Sequence, residues 1–136
     1  MTLQEQFKAC LNELTPEYTR INLNKERIWD CRLERLELED DLKYVTCTLI
    51  DADCKKIDEL NNKIKFYALQ INGCIGIIVG NIRGLLVANG YNVTSNTPVT
   101  WDMAQDIKIL VGRKDISEKK FRDGLKYITD KWKQSD

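Results

Sequence analysis

Two groups of carboxylates are the first candidates for chemistry in this sequence. The segment 51–53, Asp-Ala-Asp, resembles the start of a calcium-binding loop. That loop needs an oxygen ligand at its fifth position, glycine at its sixth and glutamate at its twelfth. Lys55, Lys56 and Asn62 occupy those positions, which excludes the motif. The acidic residues within 37–41 could hold a metal ion or act as acid and base, but a solvated helix end is the favoured interpretation. We therefore predict neither a metal site nor a cofactor.

Nucleophilic catalysis has equally little support. The chain has no histidine, which excludes Ser-His-Asp and Cys-His catalysis, histidine-ligated zinc and a histidine pH switch within it. The glycine-rich segment 73–84 matches neither a phosphate-binding loop nor a dinucleotide-binding turn. No catalytic residues are predicted, and we expect a protein that is not an enzyme.

The cysteines predict the cellular compartment. They number five, which is odd, and none of them form a C-x-x-C motif. A secreted disulfide framework usually has an even number in a shorter chain, so we expect reduced cysteines that act as small hydrophobic residues. Cys54, which precedes two lysines, is the best candidate for a reactive thiol. The segment 1–14 lacks the continuous apolar core of a secretory signal, and a cytoplasmic location is predicted.

The element that must position everything else is the apolar segment 55–90. Arg83 is the only charged residue between Tyr67 and Thr100, in a chain that is 31% charged. Apolar residues recur along the segment at three- and four-residue spacing, which predicts a long helix. One side of this helix carries the large apolar residues Ile71, Ile75, Ile78, Ile82 and Leu85.

The opposite side of the same helix carries Gly73, Gly76, Gly80 and Gly84. Each interior glycine costs roughly 0.8–1 kcal/mol relative to alanine. Glycines at this spacing let a second backbone approach closely, so we predict two buried faces and a close helix–helix contact, within the chain or across a dimer. A short buried strand is the alternative at 73–80. A membrane span is less favoured because Arg83 and several polar side chains would have to avoid lipid.

Capping signals predict helices before the central one. Thr2 and Glu5 form a capping box for a first helix that ends before Pro16. The next helix, over 24–41, presents an apolar face formed by Ile28, Trp29, Leu33 and Leu36. The segment 42–50 fits either a helix or a half-buried strand, and we favour the helix.

The region after the central helix is predicted to form a helical hairpin. Gly90 is the expected residue that ends the central helix, and 91–99 is the expected loop. Thr100 is predicted to cap a helix over 101–111 that ends at Gly112. Asp115 with Glu118 is predicted to open a last helix that continues through Trp132.

Nucleic-acid binding through this hairpin is an alternative function. Two helices joined by a short glycine-containing turn are typical of helix-turn-helix proteins. The candidate contacts are Lys114, Lys119, Lys120, Arg122 and Lys126. Acidic residues interrupt this basic set, and the whole chain carries 21 basic and 21 acidic side chains, which gives no global attraction to nucleic acid.

Together these patterns predict an all-α, single-domain helical bundle of about five or six helices. We expect a main body over 1–90, a connecting loop over 91–100 and a C-terminal hairpin over 101–136 that packs on the body. Without a catalytic constellation, the expected function is a protein–protein interaction or assembly module, such as an adaptor, inhibitor or chaperone-like factor. The expected partner is a protein, above all a second copy of the chain through the glycine face. Candidate interface anchors, or alternatively core residues, are Trp29, Trp101 and Trp132.

Overall fold

The computed structural model describes residues 1–41, 47–91, 93 and 99–131, and over these ranges the protein is all-α, with five helices and no strands. The helices are α1 (Leu3–Glu13), α2 (Thr15–Asp41), α3 (Cys47–Ala88), α4 (Trp101–Val111) and α5 (Glu118–Lys131). The predicted fold class and the long central helix are confirmed. The strand alternative at 73–80 is wrong, because these residues lie inside α3. The prediction for 42–50 falls partly on 42–46, outside the described residues, while 47–50 form the start of α3.

The helix ends follow from local chemistry. The Thr2 hydroxyl accepts a hydrogen bond from the Glu5 backbone N–H at 3.2 Å, and the Thr100 hydroxyl accepts one from the Met103 N–H at 3.2 Å, as the predicted caps require. The last helix differs from the prediction. Its first turn is capped by Ser117, whose hydroxyl accepts from the Lys120 N–H at 3.2 Å, whereas Asp115 has a positive φ of 58° in the preceding turn.

Helix α3 ends at Ala88, and Gly90 is the left-handed residue that terminates it, as predicted. This residue has φ of 82°, a left-handed conformation that glycine adopts without a side-chain clash. The Gly90 N–H donates to the Val87 carbonyl at 3.1 Å, and the Tyr91 N–H donates to the Leu86 carbonyl at 3.0 Å. These two bonds define a Schellman motif, which satisfies carbonyls that the helix itself leaves open.

The chain divides into two compact units, and α3 contributes to both. The first, here called the terminal unit, consists of 1–17 and 75–136; the second, called the hairpin unit, consists of 18–74. This division is drawn at different residues from the predicted body over 1–90 and hairpin over 101–136. The predicted hairpin does pack on the N-terminal helix, because α4 and α5 both contact α1.

The terminal unit has a well-enclosed core. Phe7 and Phe121 are completely buried, with ring centroids 6.1 Å apart in a tilted arrangement. Two polar anchors fix α1 at its N-terminal end: the Leu3 N–H donates to the Glu118 carboxylate at 3.1 Å, and the Gln4 amide donates to the carbonyls of Val111 and Arg113 at 3.0 and 2.8 Å. Other fully buried members of this core are Ile78, Ile82, Leu86, Ala104, Ile107 and Leu125.

The hairpin unit is made of the larger part of α2 and the first part of α3. Arg27 lies over the Tyr67 ring at 5.6 Å, and Arg35 donates to the Asn61 side chain at 2.7 Å. Since the α3 partner number falls as the α2 number rises, the two helices are antiparallel. The described residues of this unit that are buried are few: Ile21, Asn24, Cys31, Leu60 and Cys74.

Candidate interaction surfaces

The glycine face of α3 is open in this chain. A Cβ atom built on Gly73, Gly76, Gly80 or Gly84 meets no atom within 4 Å outside its own helix neighbourhood. The opposite side of α3 is buried, as predicted, with Ile78 and Ile82 fully enclosed. No described segment lies against the glycine side, so the described residues show no second buried face on α3. A contact across a dimer stays a prediction.

Large apolar side chains border these glycines. Within the terminal unit, Ile77 is 47% exposed and Val87 is 53% exposed, and a helical advance of 100° per residue places both on the side of Gly76, Gly80 and Gly84. We call these five residues the glycine stripe. Gly73 lies on the same side of α3 but belongs to the hairpin unit, where Leu69 is 67% exposed.

Gly124 in α5 differs from the α3 glycines because a neighbouring side chain fills the space beside it. A Cβ at this position would lie 3.0 Å from both Leu110 methyl carbons, which is tighter than ordinary contact. Gly124 therefore lets α5 approach α4, whereas the α3 glycines have no such neighbour in the described residues. No segment of the described ranges lies against the glycines of the glycine stripe.

A second apolar surface lies on α2 in the hairpin unit. Trp29, Leu33 and Leu36 are 60%, 44% and 56% exposed, and we call them the α2 outer face. Sequence reasoning placed them with Ile28 on one apolar face. The structure divides that set, because Ile28 is half-buried while the other three are exposed. The α2 residues that contact α3, such as Arg27 and Arg35, lie on the other side of the helix.

The three tryptophans thus have different settings. Trp29 is exposed, which contradicts a core role and leaves it a candidate anchor. Trp101 is half-buried at the first position of α4. Trp132 lies outside the described residues.

The basic residues proposed for nucleic-acid contact do not form one stripe. On α5, Lys119 and Lys126 share a face with Asp123 and Asp130, so positive and negative side chains alternate along it. Arg122 is paired with Glu118 at 3.3 Å. Lys114 precedes the helix, and Lys120 lies on another side of it. Because acidic side chains lie among the basic ones, this surface should attract the phosphates of a nucleic acid only weakly.

Within the described ranges, no group of three or more cysteine and carboxylate side chains is placed to hold a metal ion. Cys54 is exposed and Cys10 is half-buried, and both are free thiols. Burial raises the pKa of the Cys10 thiol, and the nearby Glu13 carboxylate adds to the increase. Glu37, Glu39 and Asp40 are exposed near the end of α2, which fits the predicted solvated helix end.

The terminal unit also has an open cavity of about 560 Å³ between the start of α1 and the α4–α5 turn. Its lining includes Lys8, Arg113 and Lys114 together with Glu5 and Asp115. Cations and carboxylates are thus mixed around it, and the Gln4 amide is already bonded to two carbonyls. This lining does not select one class of ligand.

Helix α3 has one further property relevant to partners. Its segment Asp53–Ala88 contains a window with a mean hydropathy of 1.6, long and apolar enough to cross a membrane, and 28% of that window is buried. Length and composition alone do not separate a membrane span from a helix that offers an apolar face to another protein.

Comparison with known proteins adds no further assignment: no family model, curated protein or solved structure matches this chain.

The signal that sequence reasoning missed is on α2. The sequence prediction for this helix used only its apolar residues and assigned no role to the charged residues around Trp29. Their positions relative to the apolar residues carry more information, because exposed apolar residues at alternating four- and three-residue spacing with ordered flanking charges are a heptad pattern.

Proposed function

We propose that this protein is a non-enzymatic assembly module that associates with a second copy of itself through the glycine stripe. The observation that carries the proposal is that four glycines of one helix face are open while large apolar side chains beside them are exposed. Four interior glycines cost roughly 3–4 kcal/mol in helix propensity. Within the described fold, nothing offsets that cost, and a close interchain helix contact would.

The shape of the surface supports a helix as the occupant. Gly76, Gly80 and Gly84 form a shallow channel, and Ile77 and Val87 provide apolar area beside it. Small residues at this spacing allow two backbones to approach until the flanking side chains interlock. The apolar area beside the channel would then be removed from water, at about 25 cal/mol per Å².

A second copy of the chain is the partner that the surface favours. Arg83 is the only charged side chain between Tyr67 and Thr100, so the stripe offers little charge for recognising a strongly acidic or basic partner. In a two-fold dimer the same surface of each subunit contacts its copy, so that surface must be complementary to itself. A shallow glycine channel bordered by apolar side chains meets this requirement. The formal net charge of the chain is zero, so no overall repulsion opposes association.

The decisive experiment is the native mass of purified protein, measured by light scattering on a sizing column without detergent. We expect a dimer or a larger closed oligomer. Gly80→Leu should shift the mass to a smaller species, because its side chain fills the channel. In the monomer the same change should raise the free energy of unfolding, because an added Cβ meets nothing within 4 Å and leucine is a better helix former.

Asn12→Leu is the matched control, since it adds leucine at an exposed position of α1 away from the stripe. It should leave the native mass unchanged. A wild-type monomer at every attainable concentration would overturn the proposal, and so would an oligomer that Gly80→Leu does not affect. Recovery of the protein only with membranes would replace the proposal with a membrane-spanning role for α3.

A further inference from the structure

The α2 outer face carries an ordered pattern of charges beside its apolar residues. Trp29, Leu33 and Leu36 are separated by four and then three residues, which assigns them to heptad positions d, a and d. Their exposed fractions of 60%, 44% and 56% show that the described part of the chain does not cover them. On this numbering, Lys25 and Arg32 occupy g positions on one flank.

The opposite flank is acidic. Asp30 and Glu37 occupy the e positions of the same heptads, and both are exposed, as are Lys25 and Arg32. In a parallel two-stranded coiled coil, a residue at g lies opposite the e residue five positions later on the other strand. Lys25 would therefore lie opposite Asp30 of the second strand, and Arg32 opposite Glu37. Both pairings join opposite charges.

We propose that the α2 outer face binds a second copy of the chain as a short parallel coiled coil. Charge complementarity selects both the partner and the direction. An antiparallel pair would place the acidic flank opposite the acidic flank and the basic flank opposite the basic flank, because e then faces e and g faces g. Only the parallel arrangement of two identical strands converts each flank into attractive pairs, and the two-fold axis makes each pair twice.

The seam is short, and its strength follows from that. Glu26 and Asp40 occupy the a positions on either side of the three apolar layers, and in a parallel dimer each would face its own copy. Like-charge repulsion therefore limits the contact to Trp29, Leu33 and Leu36. The association depends on protein concentration and weakens as salt screens the flanking pairs, since the screening length is about 8 Å at physiological ionic strength.

The inference does not depend on the glycine stripe, which lies in the other compact unit, and the test keeps the two apart. The full-length chain carrying Gly80→Leu serves as background, because that change blocks the stripe and leaves α2 unaltered. The measured quantity is the dimer dissociation constant from sedimentation equilibrium at low salt. Circular dichroism verifies that each variant keeps its helix content.

A series of charge reversals tests whether the flanking charge pairs stabilise the dimer. The basic flank is reversed by Lys25→Glu with Arg32→Glu, and the acidic flank by Asp30→Lys with Glu37→Lys. Each reversal alone makes both flanks alike in sign, and should weaken dimerisation by at least about tenfold, because four attractive contacts per dimer become repulsive. The fourfold variant restores opposite charges and should return the dissociation constant to within about threefold of the background.

Disulfide cross-linking tests whether the two α2 helices run parallel. Leu36→Cys should form an intermolecular disulfide under mild oxidation beyond the level of the unmodified background, because a parallel pair places position 36 opposite itself. The inference is overturned if the background chain shows no dimer, if single-flank reversals leave its dissociation constant unchanged, or if the fourfold variant fails to recover. Capture of a different protein by the α2 outer face in place of self-association would also overturn it.

Discussion

The terminal unit encloses Phe7 and Phe121 completely, whereas the hairpin unit leaves Trp29 60% exposed. The physical reason is the number of helices available to each. The terminal unit surrounds its core with α1, α4, α5 and the last part of α3. The described part of the hairpin unit consists of parts of two helices, α2 and α3, each of which can cover one side of the other. Apolar residues beyond that single seam remain at the surface. We therefore expect the buried residues of the terminal unit to contribute more to stability than the exposed residues of the hairpin unit.

The largest effect that would test this contrast is the loss of Phe121. Phe121→Ala removes a completely buried ring and its contact with Phe7, and should lower the free energy of unfolding by about 3–5 kcal/mol. Urea denaturation followed by circular dichroism measures it. Trp29→Ala is the control from the hairpin unit and should change the stability of the monomer by less than about 0.5–1 kcal/mol. Equal losses for both would contradict the contrast.

Two glycine substitutions should have opposite signs. Gly124→Ala places a Cβ 3.0 Å from the Leu110 methyl carbons, so Leu110 must move. The helix propensity of alanine offsets about 1 kcal/mol of an overpacking cost of about 1–3 kcal/mol, so the free energy of unfolding should fall by up to about 2 kcal/mol. Gly73→Ala, in the open face of the hairpin unit, should raise it by up to about 1 kcal/mol. Thermal unfolding at low protein concentration compares them. A gain in stability from Gly124→Ala would show that its close contact with α4 is not needed.

A smaller effect is expected from the surface charges of the hairpin unit. Lys56 lies 3.3 Å from Glu34, and both side chains are about half exposed. Lys56→Ala should lower the free energy of unfolding by about 0.2–1 kcal/mol, and high salt should reduce the difference. A double-mutant cycle with Glu34→Ala isolates the pair. A coupling energy well above this range would mean that the stability of the hairpin unit depends on its ion pairs.

The reactivities of two thiols, one in each unit, compare burial without any substitution. Because burial and then Glu13 raise the pKa of Cys10, this thiol should react with iodoacetamide more slowly than the exposed Cys54 between about pH 7 and 9. Peptide mass spectrometry of the folded protein gives the two rates.

The raised pKa of the Cys10 thiol also links stability to pH. The stability associated with it is present below the thiol pKa of the unfolded chain and is lost as pH rises through the pKa of the folded state. Faster labelling of Cys10 would contradict its assigned setting.

Local chemistry predicted much of the fold. The Thr2 and Thr100 caps, the break before Pro16 and the glycine that ends α3 all depend on neighbouring residues in the chain, so sequence inspection locates them. The cap at Ser117 was missed because Asp115 with Glu118 also fits a capping pattern. Only the backbone conformation at Asp115 decides between them.

Exposure could not be predicted in the same way. The α3 glycine face and the α2 outer face both have the periodicity of a buried stripe, and periodicity reports which residues share a side of a helix rather than whether another helix covers it. Coverage depends on how many helices reach each side, which is a property of the whole chain. For this reason the sequence placed the glycines and the apolar α2 residues on helix faces, and the structure showed which of these residues are exposed.

The hydrogen bond from the Leu3 N–H to Glu118 joins residues 115 positions apart, and its consequence concerns synthesis. A ribosome releases the chain from the N-terminus, so α1 emerges long before α5, the helix whose Phe121 meets Phe7. Until then, Phe7 lacks its contact with the Phe121 ring, and the whole hairpin unit must be synthesised first. Contacts this distant in sequence form slowly, and nascent α1 is exposed to other proteins during the delay. The contacts of α1 with α5 can therefore form only after all of the hairpin unit has been synthesised.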